Sequence, residues 1–182
     1  MAIDPQDRNL LISLARQAVA SAVRRQMPPV PHEASDLLTE KRGCFVTLTN
    51  KGDLRGCIGT FEPDRPLGEM IVEMGRAAAR DPRFVTQPIT PAELDELTIE
   101  VSVLSPLEPT DEPEKLEVGL HGIYVVKGHR SGCFLPEVAT DQGWDAVQFL
   151  RYCCLHKAGL SPDAWQDPDA KVYLFTSEKF QQ

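Results

Sequence analysis

The run Leu54-Arg55-Gly56-Cys57-Ile58-Gly59-Thr60 sets a guanidinium two residues before a thiol and interleaves both with glycine. In a strand, residues two apart point to the same face, so Arg55 and Cys57 are expected to project together. A nearby guanidinium favours the thiolate, which is the nucleophilic form. Glycines inside a strand mark a bulge or a close approach to the backbone, so Gly56 and Gly59 are expected to leave backbone uncovered beside the sulfur. The chemistry open to this pattern is attack by Cys57 on a substrate whose carboxylate or phosphate is held by Arg55. The bland alternatives are a buried small thiol and an arginine in a weak surface ion pair.

Other residues could complete such a site. Glu100 interrupts an apolar run. It is a candidate acid–base group that needs Arg55 or Arg83 as partner if buried, or else a solvent-facing strand position. His121 precedes Gly122 and could serve as base for Cys57, or be an ordinary loop residue. Asp81 and Arg83 flank Pro82 at a helix end. They read either as an ion pair fixing that turn or as a second cationic contact, Arg83, for a bound anion. Cys153 and His156 share a helix face, but a closed zinc site normally takes four ligands and no second pair follows, so no metal site is expected. His129 at a hairpin tip and His32 in a proline-rich loop read as solvated. The glycines near 119–132 form neither phosphate-binding pattern.

These residues must be positioned by a chain of 182 residues, of which 42% are hydrophobic and 25% charged, with a net charge of −8. Those are ordinary globular proportions, and the acidic balance argues against a sequence-independent nucleic-acid binder. The start of the chain shows no basic stretch followed by an apolar run, and no apolar run reaches membrane-spanning length. The five cysteines contain no Cys-x-x-Cys pair, so free thiols in a cytoplasmic protein are expected rather than a disulfide framework.

Apolar periodicity predicts an amphipathic helix over 8–26, stopped by the prolines at 28–31. Strands over 44–49 and 54–61 are joined at Asn50-Lys51-Gly52-Asp53. With Lys51-Gly52 as a two-residue turn, Cys57 faces Val46 with Cys44 diagonal. A second helix spans 66–80. Thr90-Pro91-Ala92-Glu93 reads as a capping box opening a short helix to Leu97, followed by a strand over 99–104. Residues 105–118 read as a loop, 122–127 and 131–135 as a hairpin, 141 or 145 to 158 as one long helix ended by Gly159, and 172–176 as a last strand. Helices with hairpin-linked strands imply an α+β domain with mainly antiparallel pairing.

The motif Leu54–Gly59 resembles the signature of the AMMECR-type domain family, whose bacterial members are called protein A of the AmmeMemoRadiSam system. The likeness continues, in order and spacing, through residues 43–48, Asp81-Pro82-Arg83-Phe84, residues 99–104, His121-Gly122, residues 131–136, 157–160 and Trp165. The resemblance covers nearly the whole chain. It implies one domain over 1–182, of one or two lobes, a smaller lobe packed against a larger α/β lobe, with a cleft near the Leu54–Gly59 strand. It also implies association with Memo-like and radical-SAM proteins, without the three-cysteine cluster motif of such an enzyme in this chain. The cofactor is left open.

Two functions remain from this reading. In one, the chain is an enzyme or enzyme component acting on a small anionic substrate. Cys57 is then the nucleophile, Glu100 or His121 the acid–base partner, and Arg55, Arg83 and the backbone at Gly56 and Gly59 the substrate contacts. In the other, the same face binds a peptide, cofactor or partner protein without turnover. A metal-binding protein using cysteine and histidine is a third and weaker possibility.

Overall fold

The computed structural model describes residues 2–31 and 35–182; the expectation for His32 lies outside these. In chain order the elements are α1 (Pro5–Val23), α2 (Asp36–Thr39), β1 (Cys44–Asn50), β2 (Asp53–Thr60), α3 (Leu67–Ala78), β3 (Leu97–Leu104), β4 (Glu108–Thr110), β5 (Gly122–Lys127), β6 (Arg130–Phe134), α4 (Pro136–Gln142), α5 (Ala146–Tyr152), β7 (Ala170–Phe175) and β8 (Ser177–Gln181), with short 3-10 turns between some of them. The fold is α+β, with two four-stranded sheets whose described pairings are antiparallel. The chain divides into two compact units, residues 1–104 with 178–182, and residues 105–177.

The first unit holds the sheet β2-β1-β3-β8. Strand β1 alternates: Cys44, Val46 and Leu48 are buried, whereas Phe45, Thr47 and Thr49 are only partly covered. The buried set joins Ile99, Val101 and Val103 of β3 in one core with Leu11, Ala15 and Ala18 of α1 and Leu67, Ile71 and Met74 of α3. Period-2 and period-3.6 apolar faces thus meet, as amphipathic strands and helices require. Strand β8 is tied to β3 by reciprocal bonds in which Ile99 and Gln182 each donate N–H to the other's carbonyl, both at 3.1 Å. The β1–β2 turn has two residues with positive φ, Lys51 at 52° and Gly52 at 91°. That geometry matches the right-handed strand twist.

The second unit holds the sheet β4-β7-β5-β6. Ile123, Val125 and Val172 of this sheet pack with Phe149, Leu150, Cys153 and Cys154 from the helical side. Of the two starts expected for the helix before Gly159, the structure takes Asp145, and a separate helix, α4, precedes it. Gly143 takes the left-handed conformation and ends α4, and Asp145 opens α5 with a full capping box to Gln148. The chain then continues as a π-helical stretch, Cys153–Ala158, that stops at left-handed Gly159. Residues 105–118 are not a plain loop, because β4 pairs with β7 through Glu108–Thr110. Its proline sits on an edge strand, where a missing donor is tolerated. The Thr90–Glu93 segment opens a 3-10 helix (Pro91–Glu96) in which Thr90 makes no side-chain cap bond.

Candidate functional site

Cys57 lies on β2, the edge strand of the first sheet. The hairpin register is Asn50 with Asp53 and Thr49 with Leu54. It then slips, so that Leu48 pairs with Gly56 and Thr47 with Cys57. Arg55 is the extra residue of a β-bulge. The slip corrects the expected pairing: Cys57 faces Thr47, not Val46, and Cys44 belongs to the core face. A one-residue change of register moves side chains to the opposite face.

The bulge also redirects Arg55. Its guanidinium meets the Glu93 carboxylate at 2.6 Å through Nε and 3.2 Å through Nη2, and also donates to the Gln87 carbonyl. Both side chains of the pair are largely buried, at 14% and 16% exposure. Glu93 is held below its usual range, chiefly by the hydrogen bond from Arg55. The cation expected to lean on the thiol is therefore committed to another carboxylate.

The cation beside Cys57 is Arg83. The backbone of Cys57 turns outward from the hairpin. Its N–H donates to Asp81 Oδ2 at 3.0 Å and its carbonyl accepts from Arg83 Nη2 at 3.0 Å. Asp81 and Arg83 in turn form a two-pronged pair, with Nε and Nη2 of Arg83 both on Oδ2 at 3.1 and 2.6 Å. The Asp81 carboxylate is the one buried carboxylate among the described residues. Hydrogen bonds from Arg83 hold its carboxyl well below the usual range, assisted by the Cys57 and Arg83 backbone N–H groups. The pKa of Arg83 is raised, first by Asp81 and in smaller part by the charge of the Cys57 sulfur. Its Nη1 donates to nothing among the described residues, and the side chain is 57% exposed.

Because Cys57 sends its backbone groups outward, Cys57 and Thr47 are a non-hydrogen-bonded pair, the type in which side chains approach most closely. The Cys57 sulfur and the Thr47 hydroxyl are 3.1 Å apart. Thr47 also pairs with Glu100 of β3. Cys57, Thr47 and Glu100 thus form one row across three strands, on the face away from the core. Strand spacing puts the outer two Cα atoms about 10 Å apart. Glu100 finds Lys179 at 3.9 Å, rather than either arginine named for it.

Neither glycine leaves bare backbone at the sulfur. A Cβ on Gly56 would collide with the Ala78 carbonyl at the end of α3, and one on Gly59 with the ring of Phe45. Gly56 lets the helix end reach β2, which brings Asp81 onto Cys57. Gly59 is roofed by its cross-strand neighbour, Phe45. His121 belongs to the second unit, and its Nδ1 accepts the Glu117 N–H at 2.9 Å within its own turn. The described histidines all lie in that unit. Among the described residues no three His, Cys, Asp or Glu side chains group as metal ligands.

The remaining thiols differ from Cys57 in setting. Burial pushes Cys44 up to about 12 and Cys133 up to about 11, and raises Cys153 and Cys154 as well.

The AMMECR1 family profile matches residues 12–180. The chain belongs to the AMMECR1 family. A protein of Methanothermobacter thermautotrophicus is 43% identical over 178 residues, covering 93% of this chain and 91% of its own length. Protein TK0174 of Thermococcus kodakarensis is 46% identical, covering 94% of this chain and 88% of its own length. The crystal structure of uncharacterized protein PH0010 from Pyrococcus horikoshii superposes with a TM-score of 0.85 at 40% identity, covering 99% of this chain and 93% of that one. Membership rests on the whole chain rather than on the Leu54–Gly59 motif. Two residues that touch Cys57 escape a reading of this AMMECR1 sequence. Thr47 is signalled only by the polar alternation Phe45-Thr47-Thr49. Asp81 is recognisable as a turn ion pair, but nothing in the sequence ties it to the Cys57 N–H.

Proposed function

We propose that this chain is an enzyme or enzyme component that acts on a small anionic substrate through Cys57. The observation that carries the reading is the arrangement at the β2 edge. A thiol that is only half-buried touches a hydroxyl, and an arginine with a free Nη1 holds the carbonyl of the same residue. In this reading Cys57 is the nucleophile and Arg83, rather than Arg55, meets the substrate anion. Thr47 orients the sulfur, and Glu100 acts as acid or base on a substrate lying along the row. Gly56 and Gly59 shape the strand, and Arg55 with Glu93 braces it. The cytoplasm is the compartment in which five free thiols persist. Memo-like and radical-SAM proteins are the partners suggested by resemblance.

Peptide-resolved alkylation by iodoacetamide at neutral pH tests the reading. Cys57 is expected to react at least about tenfold faster than Cys133, whose thiol burial keeps protonated. If Cys57 reacts no faster than Cys133, the nucleophile reading falls.

A second reading is favoured by a specific observation: both arginines near Cys57 already carry carboxylate partners, and no described histidine shares its unit. Such a surface suits a module that binds a peptide, cofactor or partner protein without turnover. Cys57→Ser separates the two: an enzyme keeps partner binding and loses turnover, whereas a binding module is unaffected.

A further inference from the structure

Asp81 stands at the junction of every polar contact made by the Cys57 backbone. It lies just past α3, is 1% exposed, and its two oxygens take the Cys57 N–H, the Arg83 N–H and two nitrogens of the Arg83 guanidinium. Arg83 then closes the ring by donating to the Cys57 carbonyl. An ion pair that only ended a helix would need none of the contacts to Cys57. A device that only capped a sheet edge would not need a buried carboxylate with a guanidinium held side-on.

We infer that Asp81 is a positioning residue for the Cys57 site: it fixes the strand backbone under the thiol and holds Arg83 beside it with its charge compensated, leaving Nη1 to receive a carboxylate or phosphate oxygen. The inference deepens the Cys57 reading and rests on it. A guanidinium grips a carboxylate side-on through Nε and one terminal nitrogen, and Asp81 occupies that edge. The nitrogen left over is held next to the Cys57 carbonyl by the bond from Nη2. An anion bound there lies at the edge of β2, beside the Cys57 carbonyl that Arg83 holds.

The groups facing this thiol give the expected signs. Asp81 and Arg83 approach from the turn after α3, and Thr47 and then Glu100 from the strands beside it, with Lys179 on Glu100. Asp81→Asn preserves an acceptor for the Cys57 N–H but removes the compensating charge. Arg83 then acts on the sulfur as a full cation. Cys57 alkylation at pH 7 is expected to rise roughly tenfold, since the thiolate is the reacting form. Arg83→Gln leaves the carboxylate uncompensated and is expected to slow Cys57 several-fold. This side chain is mostly exposed, so the variant keeps a readout if Asp81→Asn does not fold. The double variant is expected to return near the native rate.

The experiment is iodoacetamide labelling from pH 6 to 9 by peptide mass spectrometry on the full chain, with Cys133 in the other unit as internal reference. Opposite shifts in the two single variants support the inference. Unchanged Cys57 profiles in a folded protein whose native Cys57 is fast overturn it while leaving the Cys57 reading standing. A Cys57 that is slow in the native protein and in every variant overturns both.

Discussion

Asp81 is the residue at which charge, burial and backbone geometry meet, and its titration has a defined sign. Its carboxyl is held well below the usual range by Arg83, so the ionised form stabilises the folded chain. That contribution is complete above about pH 4, the ordinary carboxyl value, and is lost as pH falls from there toward the depressed native value. Glu93, lowered by Arg55, acts in the same direction. Asp81→Asn is expected to cost about 1–3 kcal/mol at pH 7, the worth of hydrogen bonds to a charged group. The cost should shrink as pH falls from 4 to 2.5. Urea unfolding across that range checks it, and a cost that does not change with pH would show that the carboxylate charge contributes nothing to folding.

At the scale of elements, the decisive contact is between the end of α3 and β2. A Cβ at Gly56 would run into the Ala78 carbonyl, with the Asp81 side chain next to it. That oxygen is main chain and cannot swing aside, so Gly56→Ala is an overpacking change with no soft neighbour. It is expected to cost about 1–3 kcal/mol and to alter Cys57 labelling, because the same displacement moves Asp81. Thermal unfolding together with peptide labelling checks this; a native melting temperature would mean that the helix end and strand separate freely. The same contact shows what a sequence can reveal. The helices α1 and α3 and the strands β1 and β3 follow from apolar periodicity, since burial imposes that periodicity directly, whereas β2, whose one buried position is Gly56, follows from the turn that joins it to β1. The glycine at 56 marks the strand for a bulge, but the place of the bulge at Arg55 does not follow. It leaves no trace in hydrophobic pattern, yet it decides which residues face Cys57 and sends Arg55 to Glu93 rather than to the thiol. Asp145 is one of two starts expected for the later helix, and the left-handed stop at Gly143 together with the Asp145 N-cap is why that start is the one taken. The Asp81–Cys57 bond joins residues 24 apart through a main-chain N–H, and no residue type announces a partner of that kind.

At the scale of the whole molecule, residues 105–177 are an insertion between two strands, β3 and β8, that lie side by side in the first unit's sheet. The ends of the insertion are pinned to each other. Ser105 N–H donates to the Thr176 carbonyl at 2.9 Å, and Thr176 N–H donates to the Ser105 hydroxyl at 3.0 Å. A chain ending at Thr176 keeps that tie but lacks β8. In it, β3 presents the N–H and carbonyl of Ile99 unpaired, and the first core loses Phe180, which packs against it. Hydrogen exchange is expected to remain slow in β5 and β7 and to accelerate in β1 and β3; equal loss in both sheets would show that the two units unfold as one. On the ribosome, this topology sets an order of events. Strand β8 is completed after the whole of residues 105–177, so the sheet that carries Cys57 gains its fourth strand only once the inserted unit has been synthesised.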